Sequence, residues 1–214
     1  MNYNVQSEQG NLIPVRNIYC IGRNYRAHAA ELNHDVPDNP FFFQKSIPAL
    51  NTTNEIILPE NREIHHELEI VVLIGKDGEM ISASSTDTFI SGYALGLDLT
   101  DRIYQTQLKE AKFPWLLAKS FKGSAVVSTF QSEMVQKDFW LKVNGEVRQM
   151  GNASQMVFSI SQQKEISRIE NLYDYKVCLC GRDYLLIYTL VHGLLQMDIT
   201  KGFAVKGEPL KNMN

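Results

Sequence analysis

In HHELEIVVLIG, residues 65–75, Glu67 and Glu69 stand two positions apart just before an apolar run. On a strand that spacing puts both carboxylates on one face, with Cβ atoms roughly 6–7 Å apart. Two acids so placed repel each other unless a positive charge sits between them. A divalent ion could supply that charge, bound about 2.1 Å from an oxygen of each. Asp98, at the end of FISGYALGLDL, is the best third donor, because a lone buried carboxylate there would be costly unless neutralised. Three carboxylates without a thiolate favour Mg²⁺ or Mn²⁺ over structural zinc. The same residues also suit an arrangement without an ion, with Glu67 and Glu69 facing solvent on an edge strand and Asp98 capping the following helix. HHELE lacks the spacing of the zinc-protease helix motif.

Other residues with chemical potential lie on either side. In GRNYRAHAAELN, His28 and Glu31 are three apart, so on a helix they share a face, and such a pair can hold a water and take its proton. An exposed helix pair would have the same spacing. Arg23 beside them can bind a carboxylate of a substrate or pair with an acid. Arg102 and Gln105 in DRIYQ share a helical face close behind Asp98. Lys119 in LLAKSF and Lys45 in FFFQKS each place an ammonium in an apolar setting, where it either serves a site or snorkels to water. His34, His65, His66 and His192 carry no specific signal.

The elements that must position these groups are mostly strands. IYCIG, FFFQKS, HHELEIVVLIG and FISGYALGLDL read as strands, with Gly92 and Gly96 marking bends or close approaches. FWLKVNGEVRQM predicts a hairpin turning at Asn144–Gly145. NYRAHAAELN, with Asn24 near its cap, and TDRIYQTQLKEAK, capped at Thr100, predict helices, as does 154–169. Residues 48–64 read as an irregular rim. More strands than helices, without regular alternation, points to an α+β fold that is mostly β.

With 214 residues and 44% hydrophobic content the chain can build a real core, and a single domain over 1–214 is expected. Twenty-one basic and 24 acidic residues spread along the chain offer no field for nucleic acid. No apolar stretch approaches the roughly 20 residues needed to span a bilayer. The polar amino terminus has no apolar h-region, which with three cysteines suggests a cytoplasmic protein. Cys178 and Cys180 are expected to be buried thiols rather than metal ligands.

GRNYRAHAAEL, FFFQKS, HHELEIVVLIG, GYALGLDLTDRIYQ, LAKSF and VNGEVRQMGNASQMVFSI, in this order, resemble the blocks of the fumarylacetoacetate hydrolase family. The likeness is to its small single-domain members that act on acylpyruvates or oxaloacetate. The resemblance implies a mixed β-roll with small flanking helices, a homodimer, and Glu67, Glu69 and Asp98 as ligands to Mg²⁺ or Mn²⁺. It also implies that His28 and Glu31, on a lid segment within residues 1–45, activate water, and that Arg102, Gln105 and Lys119 bind or polarise a small 2-oxo acid. The activity it implies is hydrolysis of an acylpyruvate to pyruvate and a carboxylic acid. The alternatives are oxaloacetate decarboxylation through the same pyruvate enolate, and a non-catalytic metal-binding member. Residues 171–214 depart from the family pattern. Where a Gly-Thr-Pro loop is expected, the chain has Gly181-Arg182-Asp183, and Arg182 is a candidate carboxylate clamp in its place.

Overall fold

The computed structural model describes residues 3–22, 24–25, 38–39, 41–76, 84–134 and 138–160, together with the backbone of three later strands. In chain order the strands are β1 (Asn4–Gln6), β2 (Leu12–Gly22), β3 (Phe41–Lys45), β4 (Leu50–Asn51), β5 (Glu55–Ile57), β6 (Ile64–Ile74) and β7 (Ile90–Asp101). They continue with β8 (Ala125–Val127), β9 (Phe139–Val143), β10 (Glu146–Gly151), β11 (Tyr184–Leu190), β12 (Met197–Asp198) and β13 (Ala204–Lys206). Two helices, α1 (Arg102–Glu110) and α2 (Leu116–Lys119), separate β7 from β8.

An eight-stranded mixed sheet runs β1-β2-β11-β6-β7-β8-β4, with β3 also paired to β2. A three-stranded sheet, β10-β9-β12, and the pair β13-β5 complete the described strands. The fold is α+β, mostly β with small flanking helices.

Strand β6 lies inside the sheet between β11 and β7, and all of its residues are buried. Burial on both faces explains why its second half, Ile70–Ile74, is continuous in apolar residues rather than alternating. Its even positions, Leu68, Ile70, Val72 and Ile74, join Leu95, Leu97, Leu99, Phe139 and Leu141 in one core. Its odd positions Val71 and Leu73 join Ile18, Cys20, Ala94, Ala125 and Val127 in a second. Glu67 and Glu69 continue that second face. The edge-strand arrangement therefore does not hold.

At Gly92 a Cβ would meet the Gln131 carbonyl at 3.0 Å, in a β-bridge where Tyr93 N donates to that same oxygen. The glycine is there for close approach, as its place in the strand suggested. The hairpin turns where expected, with Asn144 at φ 54° and Gly145 at φ 83°, the signature of a primed two-residue turn.

Three local expectations change. Helix α1 is capped by Asp101, whose Oδ1 accepts from Tyr104 N at 3.1 Å, while Thr100 and Asp98 remain in β7. The start of 154–169 is a single 3₁₀ turn, Ala153–Gln155, because its next donors turn outward. Val157 N donates to the Asn24 carbonyl and Phe158 N to Asn24 Oδ1, so Asn24 ties two segments together. The rim at 48–64 contains β4 and β5 rather than loop alone. The helix expected after Asn24, residues 161–169, and Cys178 and Cys180 lie outside the described residues, whereas Cys20 is a buried free thiol.

Candidate metal centre

The register of β6 against β7 assembles the acidic site. Glu67 pairs directly with Asp98, and Glu69 with Gly96. Residues opposite each other in an antiparallel pair share a face, so Asp98 joins the two glutamates. Gly96 adds no side chain beside Glu69. An oxygen from each of Glu67, Glu69 and Asp98 falls within 4.8 Å of the others, and all three residues are buried. Opposed carboxylates destabilise a sheet, so this pairing needs compensating charge.

Three cations provide part of it. Lys119, the last residue of α2, places Nζ 2.6 Å from Glu67 Oε2 and 2.7 Å from Asp98 Oδ2. Lys45, at the end of β3, lies 2.7 Å from Asp98 Oδ1, and Arg102, opening α1, is 3.1 Å from Glu67 Oε1. Arg102 also donates to Gln105 Oε1 at 2.8 Å, so the predicted helical pair is a physical one. Burial pulls the Lys119 pKa down, but Asp98 and Glu67 outweigh it and hold the ammonium protonated. For Lys45 burial prevails over the Asp98 charge and the net shift is downward.

Glu69 is left over. Its Oε2 is buried without a hydrogen-bond partner, and burial, with the Asp98 and Glu67 charges, pushes its carboxyl well above the ordinary range. A buried, orphaned carboxylate oxygen converging with two further carboxylates fits a divalent cation in both charge and donor type. The site is suited to Mg²⁺ or Mn²⁺, with Glu67, Glu69 and Asp98 as its oxygen donors.

Of the residues singled out in sequence, Glu67, Glu69, Asp98, Arg102, Gln105, Lys119 and Lys45 are brought together here. Arg23, His28, Glu31 and Arg182 lie outside the described residues. His65 pairs with Glu63 at 3.0 Å. His66 faces the opposite side of β6, where its Nδ1 is 3.3 Å from Gln149 Oε1. Two supporting residues carried no sequence signal. Gln149 accepts from Leu68 N at 2.9 Å and docks the hairpin on β6. Ser124 offers both its carbonyl and its hydroxyl to the Lys45 ammonium. Neither is recognisable until tertiary pairing is known.

Residues 17–182 match the model of the fumarylacetoacetate hydrolase C-terminal domain. The chain belongs to the fumarylacetoacetate hydrolase family. It is 42% identical over 174 residues to the mitochondrial oxaloacetate tautomerase of Mus musculus, covering 78% of this chain and 79% of that protein. It is 38% identical over 175 residues to the mitochondrial oxaloacetate decarboxylase of Dictyostelium discoideum, covering 78% and 80%. Its fold superposes on fumarylpyruvate hydrolase from Pseudomonas aeruginosa in complex with Mn²⁺ and pyruvate, with a TM-score of 0.77 at 29% identity, covering 90% of this chain and 85% of that one.

The cytoplasmic expectation is corrected by these relatives, whose names place them in mitochondria. The missing apolar h-region bears on secretion, whereas mitochondrial targeting uses amphipathic, Arg-rich segments that this criterion does not test. Among the described residues no helix is long and apolar enough to cross a membrane.

Proposed function

We propose that the protein is a divalent-metal-dependent enzyme acting on oxaloacetate, promoting its keto–enol interconversion through the oxaloacetate enolate or its decarboxylation to the pyruvate enolate. The observation that carries this reading is the charge balance of the site. Among the described residues three carboxylates face three ion-paired cations. A divalent ion then leaves two formal positive charges, matching a dicarboxylate dianion such as oxaloacetate. The oxaloacetate tautomerase and decarboxylase among the relatives support the same substrate.

When bound, the ion supplies Lewis-acid polarisation of a 2-oxo group. Glu67, Glu69 and Asp98 would hold it. Lys119, kept protonated by its acidic neighbours, donates to the oxygen on which negative charge develops. Arg102, steadied by Gln105, bears on a substrate carboxylate, as would Arg23 and Arg182. For tautomerisation, His28 with Glu31 accepts the proton from C3 while the 2-oxygen gains one. In decarboxylation the C3–C4 bond breaks, CO₂ leaves, its electron pair becomes the pyruvate enolate, and C3 then takes a proton. Neither route consumes water.

Acylpyruvate hydrolysis is the second reading, supported by the fold's likeness to a fumarylpyruvate hydrolase. It gives His28 and Glu31 a water to activate. The assembly proposed for either is a homodimer of single-domain subunits, with a lid segment within residues 1–45 and a divergent part at 171–214.

The test is to supply metal-free protein with oxaloacetate or acetylpyruvate, with and without Mg²⁺ or Mn²⁺. Enol–keto equilibration is followed by absorbance and pyruvate by a coupled assay. Metal-dependent turnover of oxaloacetate alone is expected. Pyruvate from acetylpyruvate alone would establish the hydrolytic reading, and no turnover of either would leave a metal-binding scaffold.

A further inference from the structure

We propose that β3 is a clamp for Lys119: Lys45, backed by Phe43, is a positioning residue that fixes the end of α2 and so aims the Lys119 ammonium at Glu67 and Asp98. The use of Lys119 as a donor to the reacting oxygen rests on the proposed function, whereas its placement does not.

Helix α2 has four residues, too few to hold itself by its own hydrogen bonds. The carbonyls of a last helical turn have no partner within the helix and need one from outside. The Lys119 carbonyl has two, because the Lys45 ammonium and Ser124 Oγ both donate to it, the hydroxyl at 2.7 Å. The same ammonium donates to the Leu99 carbonyl of β7 at 3.1 Å, to the Ser124 carbonyl at 3.0 Å and to Ser124 Oγ at 3.2 Å. One fully buried cation thereby joins the end of β3 to the end of α2, to the strand that carries Asp98 and to the residue before β8. Its contact with Asp98 Oδ1 at 2.7 Å is an ion pair that leaves that oxygen without a hydrogen bond, so the three protons of Lys45 are spent on the framework.

Strand alternation puts Phe43 on the same face as Lys45. Lys119 Nζ lies over the Phe43 ring at 5.0 Å, and the same ring is 6.1 Å from that of Trp115, which precedes α2. Strand β3 therefore meets α2 at both ends, through Phe43 at Trp115 and through Lys45 at Lys119. Ser46 N, the next donor along the chain, reaches Ser120 Oγ at 3.0 Å and extends the contact. Lys119 Nζ is thus carried to 2.6 Å from Glu67 Oε2 and 2.7 Å from Asp98 Oδ2 by a backbone tied down independently of any ion. A donor fixed in advance needs no reorganisation when charge develops on the oxygen it serves.

The experiment compares wild type, K45M and K45Q with Leu68→Ala, a core change on the opposite face of β6. Metal-free proteins are acetylated with sulfosuccinimidyl acetate at the same margin below each melting temperature, and modification of Lys119 is read by peptide mass spectrometry against exposed Lys112. Lys119 reactivity is expected to rise by about tenfold in the Lys45 variants and to stay near wild type in Leu68→Ala. No rise, or an equal rise in Leu68→Ala, would make Lys45 a general stabiliser and overturn the inference. With saturating Mn²⁺ the Lys45 variants should lose about 10–100-fold in kcat for oxaloacetate, with KM held within about threefold; a raised KM with kcat intact overturns it too. Should both Lys45 variants fail to fold, Ser124→Ala, which removes one of the two donors to the Lys119 carbonyl, carries the labelling test, with a rise of about threefold expected and no rise overturning the clamp. Wild type that leaves oxaloacetate unchanged removes the proposed function alone, and the labelling still decides the clamp.

Discussion

Glu69 shows at the scale of one residue how the protein accepts a local cost for a site. A buried acceptor without a partner costs about 1–3 kcal/mol, and Glu69 Oε2 is such an atom. Glu69→Met is therefore expected to raise the melting temperature of the metal-free protein while weakening Mn²⁺ binding by 100-fold or more, on the order of two lost decades. A melting temperature that falls, or calorimetry that shows Mn²⁺ bound as before, would contradict the assignment. Lys119 carries the opposite sign. Removing one partner of a buried charge cluster costs about 3–5 kcal/mol, and Lys119→Met leaves Glu67 and Asp98 facing each other. Added Mn²⁺ should restore most of that loss in thermal unfolding, because it puts positive charge back between the same carboxylates. Equal destabilisation with and without the ion would show that Lys119 has a packing role instead.

At the scale of elements, the site follows from one register. Strand pairing sets Glu67 against Asp98, and period-two alternation adds Glu69. The alternation was legible in sequence, and so were the hairpin turn and the extent of β6 and α1, because each is encoded within a few neighbouring residues. The pairing of β6 with β7 was not, since residue spacing alone specifies no strand partner. The helix cap was misplaced by one residue because Thr100 and Asp101 are both good caps, and only the path of β7 decides between them. Leu68 separates structure from site. It is fully buried on the face of β6 opposite Glu67 and Glu69. Leu68→Ala should cost about 2–5 kcal/mol in chemical denaturation and leave Mn²⁺ affinity within about twofold, provided the fold holds. A large loss of affinity would mean that the two faces are coupled through the strand.

For the molecule as a whole, folding and metal binding are linked. An ion that binds only the folded chain stabilises it by about 2.7 kcal/mol at a concentration 100 times its dissociation constant. Mg²⁺ or Mn²⁺ should therefore raise the melting temperature and a chelator should reverse the gain; an unmoved transition would deny that the folded chain holds the ion. The whole-molecule features were unevenly legible. Composition indicated a core-forming chain, and ordered blocks indicated the family, but the compartment was misjudged because lack of one targeting signal was given weight that belonged to another. We propose that a divalent ion at Glu67, Glu69 and Asp98 turns this fold into a catalyst for oxaloacetate. The most direct measurement is the rate of oxaloacetate enol–keto conversion and pyruvate release as metal-free protein is titrated with Mn²⁺. The rate is expected to rise with bound ion and to saturate at a single equivalent per chain. A rate independent of bound Mn²⁺ would contradict it.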